Sequence, residues 1–289
     1  MSTHTEHKAT LETLKELERL GMEVTYLPVN KDGVPQMTDI QNAIRPDTAL
    51  FAFTHVNNET GAIFPVRELC MLRDTHIRSA KIHMDCVQSL GKLPIALSSS
   101  GIDFASFSGH KIHSVKGSGL LYVRKGNRLS PLLYGGGQQR GLRSGTESPY
   151  LAAAMAEALR VIEAGREASF VKITACNAKL RRVLPDLGVQ VLSPELASPY
   201  ILNVAFPDFE SETMLHALEE QEIYVSTVSA CSSKQKKISY VLTEMGYNRA
   251  VASHAIRISF SPFSEMDEVD RFLSAVQDIY RKYSLKRGT

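Results

Sequence analysis

Ala49-Leu-Phe-Ala-Phe-Thr54, Lys81-Ile-His-Met-Asp85, Phe104-Ala-Ser-Phe107 and Leu120-Leu-Tyr-Val-Arg124 are the runs whose reading decides the fold. Each is short, apolar and rich in β-formers, and a helical pattern from Val66 to Ser79 separates the first two. Alternation of this kind predicts an α/β fold, a mainly parallel sheet with helices on both faces. In such sheets ligands bind beyond the carboxyl ends of the strands, so the chemistry is to be sought just after these runs.

Upstream, Thr3 and Glu6 have capping-box spacing, Leu11, Leu14, Leu17 and Leu20 follow a helical period, and Gly21 supplies a stop. A helix therefore opens the chain, followed by a β-rich segment from Met22, a Lys31-Asp-Gly turn and a short helix near Thr38 to Ile44. Downstream of Ser148 the pattern becomes a long Ala- and Glu-rich helical stretch to about Leu184, then shorter strands and helices. The reading divides the chain near Ala164, with a larger α/β domain over 1–164 and a smaller α+β domain over 165–289. The glycines Gly135-Gly-Gly and Gly141 to Gly145 mark a loop of unusual backbone freedom.

Composition excludes several function classes. With 33 basic against 31 acidic residues in 289, no strong field favours nucleic acid or an anionic membrane. No apolar run approaches the roughly 20 residues that span a bilayer, and the polar start has no signal-peptide pattern, so the expectation is cytoplasmic. The cysteines Cys70, Cys86, Cys176 and Cys231 are widely spaced, which argues against a zinc site or a disulfide framework. Cys70 and Cys176 lie on helical patterns and read as core.

Three polar groups fall just after predicted strands: Asn58 in Val56-Asn-Asn-Glu-Thr-Gly61, Asp85 with Gln88 in Asp85-Cys-Val-Gln-Ser89, and Lys111 in Ser106-Phe-Ser-Gly-His-Lys111. Singly each has an ordinary explanation, since an Asp after a strand commonly caps a helix and a loop Lys is commonly a solvated charge. Together they supply what a pyridoxal phosphate site requires: an amine for a Schiff base, a carboxylate for the pyridine nitrogen and polar groups for the ring oxygen. Ser108 and His110 flank the lysine as phosphate donors.

Ser106-Phe-Ser-Gly-His-Lys111, Val56-Asn-Asn-Glu59, Gly135-Gly-Gly-Gln-Gln-Arg-Gly-Leu-Arg-Ser-Gly-Thr146 and Ser229-Ala-Cys-Ser-Ser233, in this order, resemble blocks of the cysteine desulfurases of the class V aminotransferase group. The likeness runs from about Thr5 to Tyr283. It implies a fold-type-I pyridoxal-phosphate enzyme in which Lys111 forms the Schiff base, Asp85 meets the pyridine nitrogen, and Gln88 and Asn58 lie near the ring hydroxyl. It also implies that His7 stacks on the ring and relays protons, where the residues alone suggest a solvent-facing first-turn histidine. Ser108 and His110 are implied phosphate ligands, and Thr146 one that reaches the neighbouring subunit's cofactor, hence a homodimer. Arg257, in Ala255-Ile-Arg-Ile-Ser259, is implied to clamp the substrate carboxylate, a task suited to a bidentate fork.

Cys231 matches the family nucleophile that takes sulfur from L-cysteine, releasing L-alanine and passing the persulfide to an acceptor protein for iron–sulfur assembly or tRNA thiolation. Its polar, lysine-rich neighbours suit an exposed thiolate. A class V transaminase or selenocysteine lyase would share the Lys111 site, and a shortened, inactive relative is a reading of another kind. The sequence departs from the family in three ways. No Gly-Ala-Thr-Glu-type phosphate turn precedes His7, which implies a weakened hold on the cofactor. Ser114-Val115 stands where Gly-Pro is usual. The chain also ends at Thr289, short of the tail that many relatives use for scaffold docking.

Overall fold

The computed structural model describes residues 1–227 and 238–287. Its central sheet is built from β3 (Leu50–Thr54), β4 (Lys81–Asp85), β5 (Phe104–Ser108) and β6 (Gly119–Val123), in that order. β3, β4 and β5 run parallel, and β6 closes the order antiparallel to β5. Thr54, Asp85 and Ser106 stand side by side across three strands, so the parallel carboxyl ends form one polar ledge.

These strands read well from sequence because both faces are covered. Phe51, Phe53, Ile82, Met84, Ala105 and Phe107 are buried in one cluster with Ile40 of α2 (Met37–Ala43) and Leu69 of α3 (Val66–His76). Parallel strands covered on both faces are apolar almost throughout, as β3 is, whereas β4 and β5 set Lys81, His83 and Ser106 between their buried residues. Beneath them, Arg73 of α3 is 5% exposed and donates to Asp103 at 3.0 Å, to Ala80 O and to Gly101 O.

The opening of the chain differs from expectation. Thr3 caps no helix. Ser2 and Thr3 form a two-residue strand, β1, parallel to β2 (Tyr26–Leu27), and β1 lies beside β3 with Ala52 N–H donating to Met1 O. The first helix, α1, spans Lys8–Arg19, and its N-cap is His7, whose Nδ1 accepts from Ala9 N at 3.1 Å. The capping-box pair fails because the Glu6 carboxylate is drawn inward, where Oε1 accepts from Thr54 N at 2.9 Å. Of the four periodic leucines only Leu14 is buried; Gly21, at φ +90°, does end the helix.

The long helical stretch is two helices, α4 (Pro149–Ala164) and α5 (Arg166–Val183), broken at Gly165. Beyond it, β7 (Gln190–Val191), β8 (Ile201–Ala205) and β9 (Ala255–Ser259) make an antiparallel sheet. A second apolar cluster joins Cys176 and Leu180 of α5, Leu202 and Val204 of β8, Met214 and Leu218 of α6 (Ser211–Glu219), and Phe272 and Val276 of α9 (Met266–Arg287). Among the described residues, two short helices, α7 (Tyr240–Glu244) and α8 (Arg249–Ser253), lie between α6 and β9.

The loop after β3 joins the two sheets. Asn57 Oδ1 accepts from Glu59 N and Thr60 N, which fixes the turn, and Asn57 Nδ2 donates to Thr5 O. From the other side Ser193 Oγ donates to Thr60 O, Asn203 Nδ2 to Glu59 O and Ser198 N to Gly61 O. Gly61 adopts φ +76°, and a Cβ there would stand 3.2 Å from Ile201, so the close approach demands glycine.

Candidate active site

Lys111 sits in a single 3-10 turn, Gly109–Ile112, that β5 feeds directly. The turn is closed by His113 in the left-handed region (φ +60°), by Ser114 N donating to Gly109 O and by Gly109 N donating to Ser118 O. Gly109 is required, since a Cβ there would lie 2.2 Å from Ser118 Oγ. Ser114 thus lies within the β5–β6 connection, whose ends meet where Ser108 pairs with Gly119. Lys111 is half-buried and makes no ion pair among the described residues. Burial first, and then the charge of Arg257, lower its affinity for a proton.

Asp85 ends β4 and is 9% exposed. Its Oδ1 accepts from Val87 N at 3.0 Å, the Asx turn that lets the chain leave the strand. Gln88, equally buried, follows one turn later, and its Oε1 accepts from Lys92 Nζ at 3.2 Å. Beside them, Ser106 and the His83 ring share a hydrogen bond of 3.2 Å. Burial lowers the His83 pKa, with Asp85 opposing. On the next strand end, Ser108 Oγ and His110 Nδ1 lie 2.7 Å apart. The His110 pKa is also lowered, by partial burial and by Lys111 and Lys116.

The second sheet contributes Arg257. From β9 its guanidinium donates to Asn58 O at 3.0 Å and to Ser226 Oγ at 3.2 Å, while its backbone pairs with Ser226. Asn58 and Arg257, 199 residues apart, are therefore in direct contact, with Lys111 within Coulombic reach of the same guanidinium. His7 is exposed at the mouth of α1 and Thr146 is exposed beyond the Gly135–Gly145 loop; among the described residues no hydrogen bond ties either to the other candidates. Cys231 lies outside the described residues.

Sequence reasoning missed three groups. Glu6, directly before His7, is 2% exposed, and burial raises its pKa to about 8, against the pull of the Thr54 amide. Glu59 is buried with Ser239 Oγ donating to it, and burial raises its pKa as well. Lys92 belongs to none of the motifs singled out above. Glu6 and Glu59 stood inside motifs already singled out, but Thr5 and His7 around the one and Asn58 and Thr60 around the other do not mark a buried acid. Nothing in the spacing of Lys92 separated it from a solvated charge.

The residues suit pyridoxal phosphate: an amine with no ion pair among the described residues, a buried carboxylate at a neighbouring strand end and a hydroxyl–imidazole pair beside the amine answer to its aldehyde, pyridine nitrogen and phosphate.

Comparison with known proteins bears on the same point. The family described as aminotransferase class-V matches residues 1–272. The chain is 38% identical over 288 residues to a NifS/IcsS protein homolog of Lactobacillus delbrueckii subsp. bulgaricus, covering 98% of this chain and 74% of that protein. It is also 38% identical over 284 residues to the cysteine desulfurase IscS of Salmonella paratyphi C, covering 96% of this chain and 69% of that one. Among solved structures, a NifS-like protein superposes with a TM-score of 0.91 at 36% identity, over 97% of this chain and 74% of the other. SspA in complex with cysteine gives 0.76 at 31% identity, over 91% and 73%. The fold is that of these NifS-like enzymes, and the chain belongs to the class-V aminotransferase family, within it to the cysteine desulfurases.

Proposed function

We propose that this chain is a pyridoxal-phosphate-dependent cysteine desulfurase that takes L-cysteine to L-alanine and carries the sulfur as a persulfide on Cys231. The observation that carries the reading is the approach of Arg257, which donates to the carbonyl of Asn58, to Lys111 where two sheets join, beside strand ends that carry Asp85 and Ser108, in a chain 38% identical to a named cysteine desulfurase. In this reading residues 1–164 hold the cofactor and 165–289 carry Cys231 and Arg257. Acting as a cytoplasmic homodimer and passing sulfur to an acceptor protein for iron–sulfur assembly belong to the same proposal. In keeping with it, no helix among the described residues is long and apolar enough to cross a membrane.

Pyridoxal phosphate, when bound, supplies an electron sink for the bond-breaking step. Lys111 would hold it covalently, Asp85 would hold the proton on its ring nitrogen, Gln88 and Asn58 would meet the ring oxygen, and Ser108, His110 and a partner Thr146 its phosphate. His7 would stack on the ring. The lowered proton affinity of Lys111 leaves more of its amine neutral at working pH, which suits attack on an aldehyde and removal of the substrate α-proton. Arg257 would receive the substrate carboxylate.

Burial supports Cys231 as the sulfur carrier. Cys70, Cys86 and Cys176 are all buried, and desolvation pushes the first two thiols up to about 11 and about 12, leaving little thiolate near neutrality. Mixing the protein with pyridoxal phosphate and cysteine should yield alanine and a protein persulfide. Cys231→Ala should take up the cofactor colour as before and lose sulfur transfer by at least about a hundredfold. Unchanged turnover in that variant would point instead to a transaminase or a selenocysteine lyase.

A further inference from the structure

Lys92 follows Gly91 in the segment that leads away from Asp85, and is half-buried. Its Nζ donates to Gln88 Oε1 at 3.2 Å and stands 5.8 Å from the centre of the Tyr200 ring, which is 1% exposed. Gly91 takes φ +69°, and a Cβ there would meet Ile162 of α4 at 2.7 Å. An ammonium has three donors and no acceptor, so its contact with an amide must use the amide oxygen. That contact turns the Gln88 amide so that its oxygen faces Lys92.

We propose that Lys92 is a positioning residue of the site: its ammonium captures the Gln88 carbonyl oxygen, so that Gln88 offers a bound ligand only its amide N–H donors. The inference rests on the reading that Asp85, Gln88 and Lys111 receive pyridoxal phosphate, whose ring oxygen accepts such a donor. The hold is conditional on charge. The groups acting on Lys92 are Lys111 from the turn after β5, Arg257 from β9 and the Tyr200 ring from the segment before β8, with Gln88 on its own segment. Burial first, then the two cations, bring its pKa down to about 8. Loss of that proton leaves a neutral amine, whose weaker N–H donors and new lone pair loosen the hold on the amide oxygen.

The test uses the intact cofactor-free protein and follows the Gln88 side-chain NH₂ signals by nitrogen-15 NMR from about pH 6 to about pH 10. In the wild type these signals should titrate with a midpoint at about 8. In Lys92→Met they should be flat and displaced from the wild-type acid-limit position; in Lys92→Arg they should be flat and close to it, because a guanidinium keeps its donors and its charge over this range. A second reading titrates pyridoxal phosphate by absorbance. Lys92→Met should bind about tenfold more weakly and Lys92→Arg within about threefold of wild type. Pyridoxal phosphate affinity in Lys92→Met equal to wild type, or Gln88 signals that do not move with pH in the wild type, would overturn the role of Lys92. A wild-type protein that takes up no colour would instead defeat the cofactor reading, while the amide titration still decides what Lys92 holds.

Discussion

A carboxyl group sealed from water ionises reluctantly, and Glu6 is so sealed, with Oε2 unpartnered among the described residues. Its folded pKa, raised to about 8, lies above the unfolded value near 4.5, so the folded state holds the extra proton between the two. The stability this lends is complete at low pH and is lost as pH rises through 8. His55, buried and lowered to about 4, has the opposite slope, but only below about 6.5. Between about pH 6.5 and 8, therefore, Glu6 alone lowers the unfolding free energy by up to about 1.4 kcal/mol per pH unit, the Met1 ammonium, brought down to about 6 by burial, opposes it, and Glu6→Gln should make the slope more positive by up to that amount. Denaturant melts of the two cofactor-free proteins at half-unit intervals check this, and parallel slopes would show Glu6 ionised when folded. The carboxyl also sits under His7: Oε1 holds Thr54 N, Glu6 O accepts from Tyr240, and Asp85 is close enough to raise its pKa further. The motif residue that sequence reading prized, His7, is thus presented by the neighbour it overlooked.

At the scale of elements, the parallel strands rest on α3, and Arg73 holds that helix to them. Its partner Asp103, 4% exposed, also accepts from Ile82 N and Asn127 Nδ2, so one carboxylate joins β4, the approach to β5 and the loop after β6. Removing the guanidinium leaves a buried charge without its counterion. Arg73→Met should cost about 3–5 kcal/mol in denaturant unfolding, and adding Asp103→Leu should recover part of it. Two variants that differ little would place the cost in packing and not in charge. The same scale shows what sequence could reveal. β3, β4 and β5 were legible because runs such as Leu50–Thr54 are buried on both faces. β1 was not: two residues carry no periodicity, and their strand identity comes from Tyr26 and Leu27 and from the flank of β3. The long helix after Ser148 was drawn through Gly165 because one glycine in an Ala- and Glu-rich run is a weak stop signal.

Across the whole molecule, each of two sheets buries its own apolar cluster, and the loop from Asn57 to Gly61 is gripped from both sides. That loop brings Asn58 to Arg257, so the site exists only when both sheets are in place. Strand-end groups were legible as separate signals because their strands were; their convergence was not, since a contact spanning 199 residues follows from topology and no local pattern encodes it. Cofactor chemistry and cysteine turnover should accordingly depend on Lys111 within the complete fold. The most direct test is to supply the purified chain with excess pyridoxal phosphate and L-cysteine and to measure alanine, with Lys111→Ala alongside. The account predicts a visible-band chromophore and steady alanine release in the wild type, both lost by a factor of at least about a hundred in the variant. A wild-type protein that forms the chromophore through Lys111 and yet releases no alanine would contradict it.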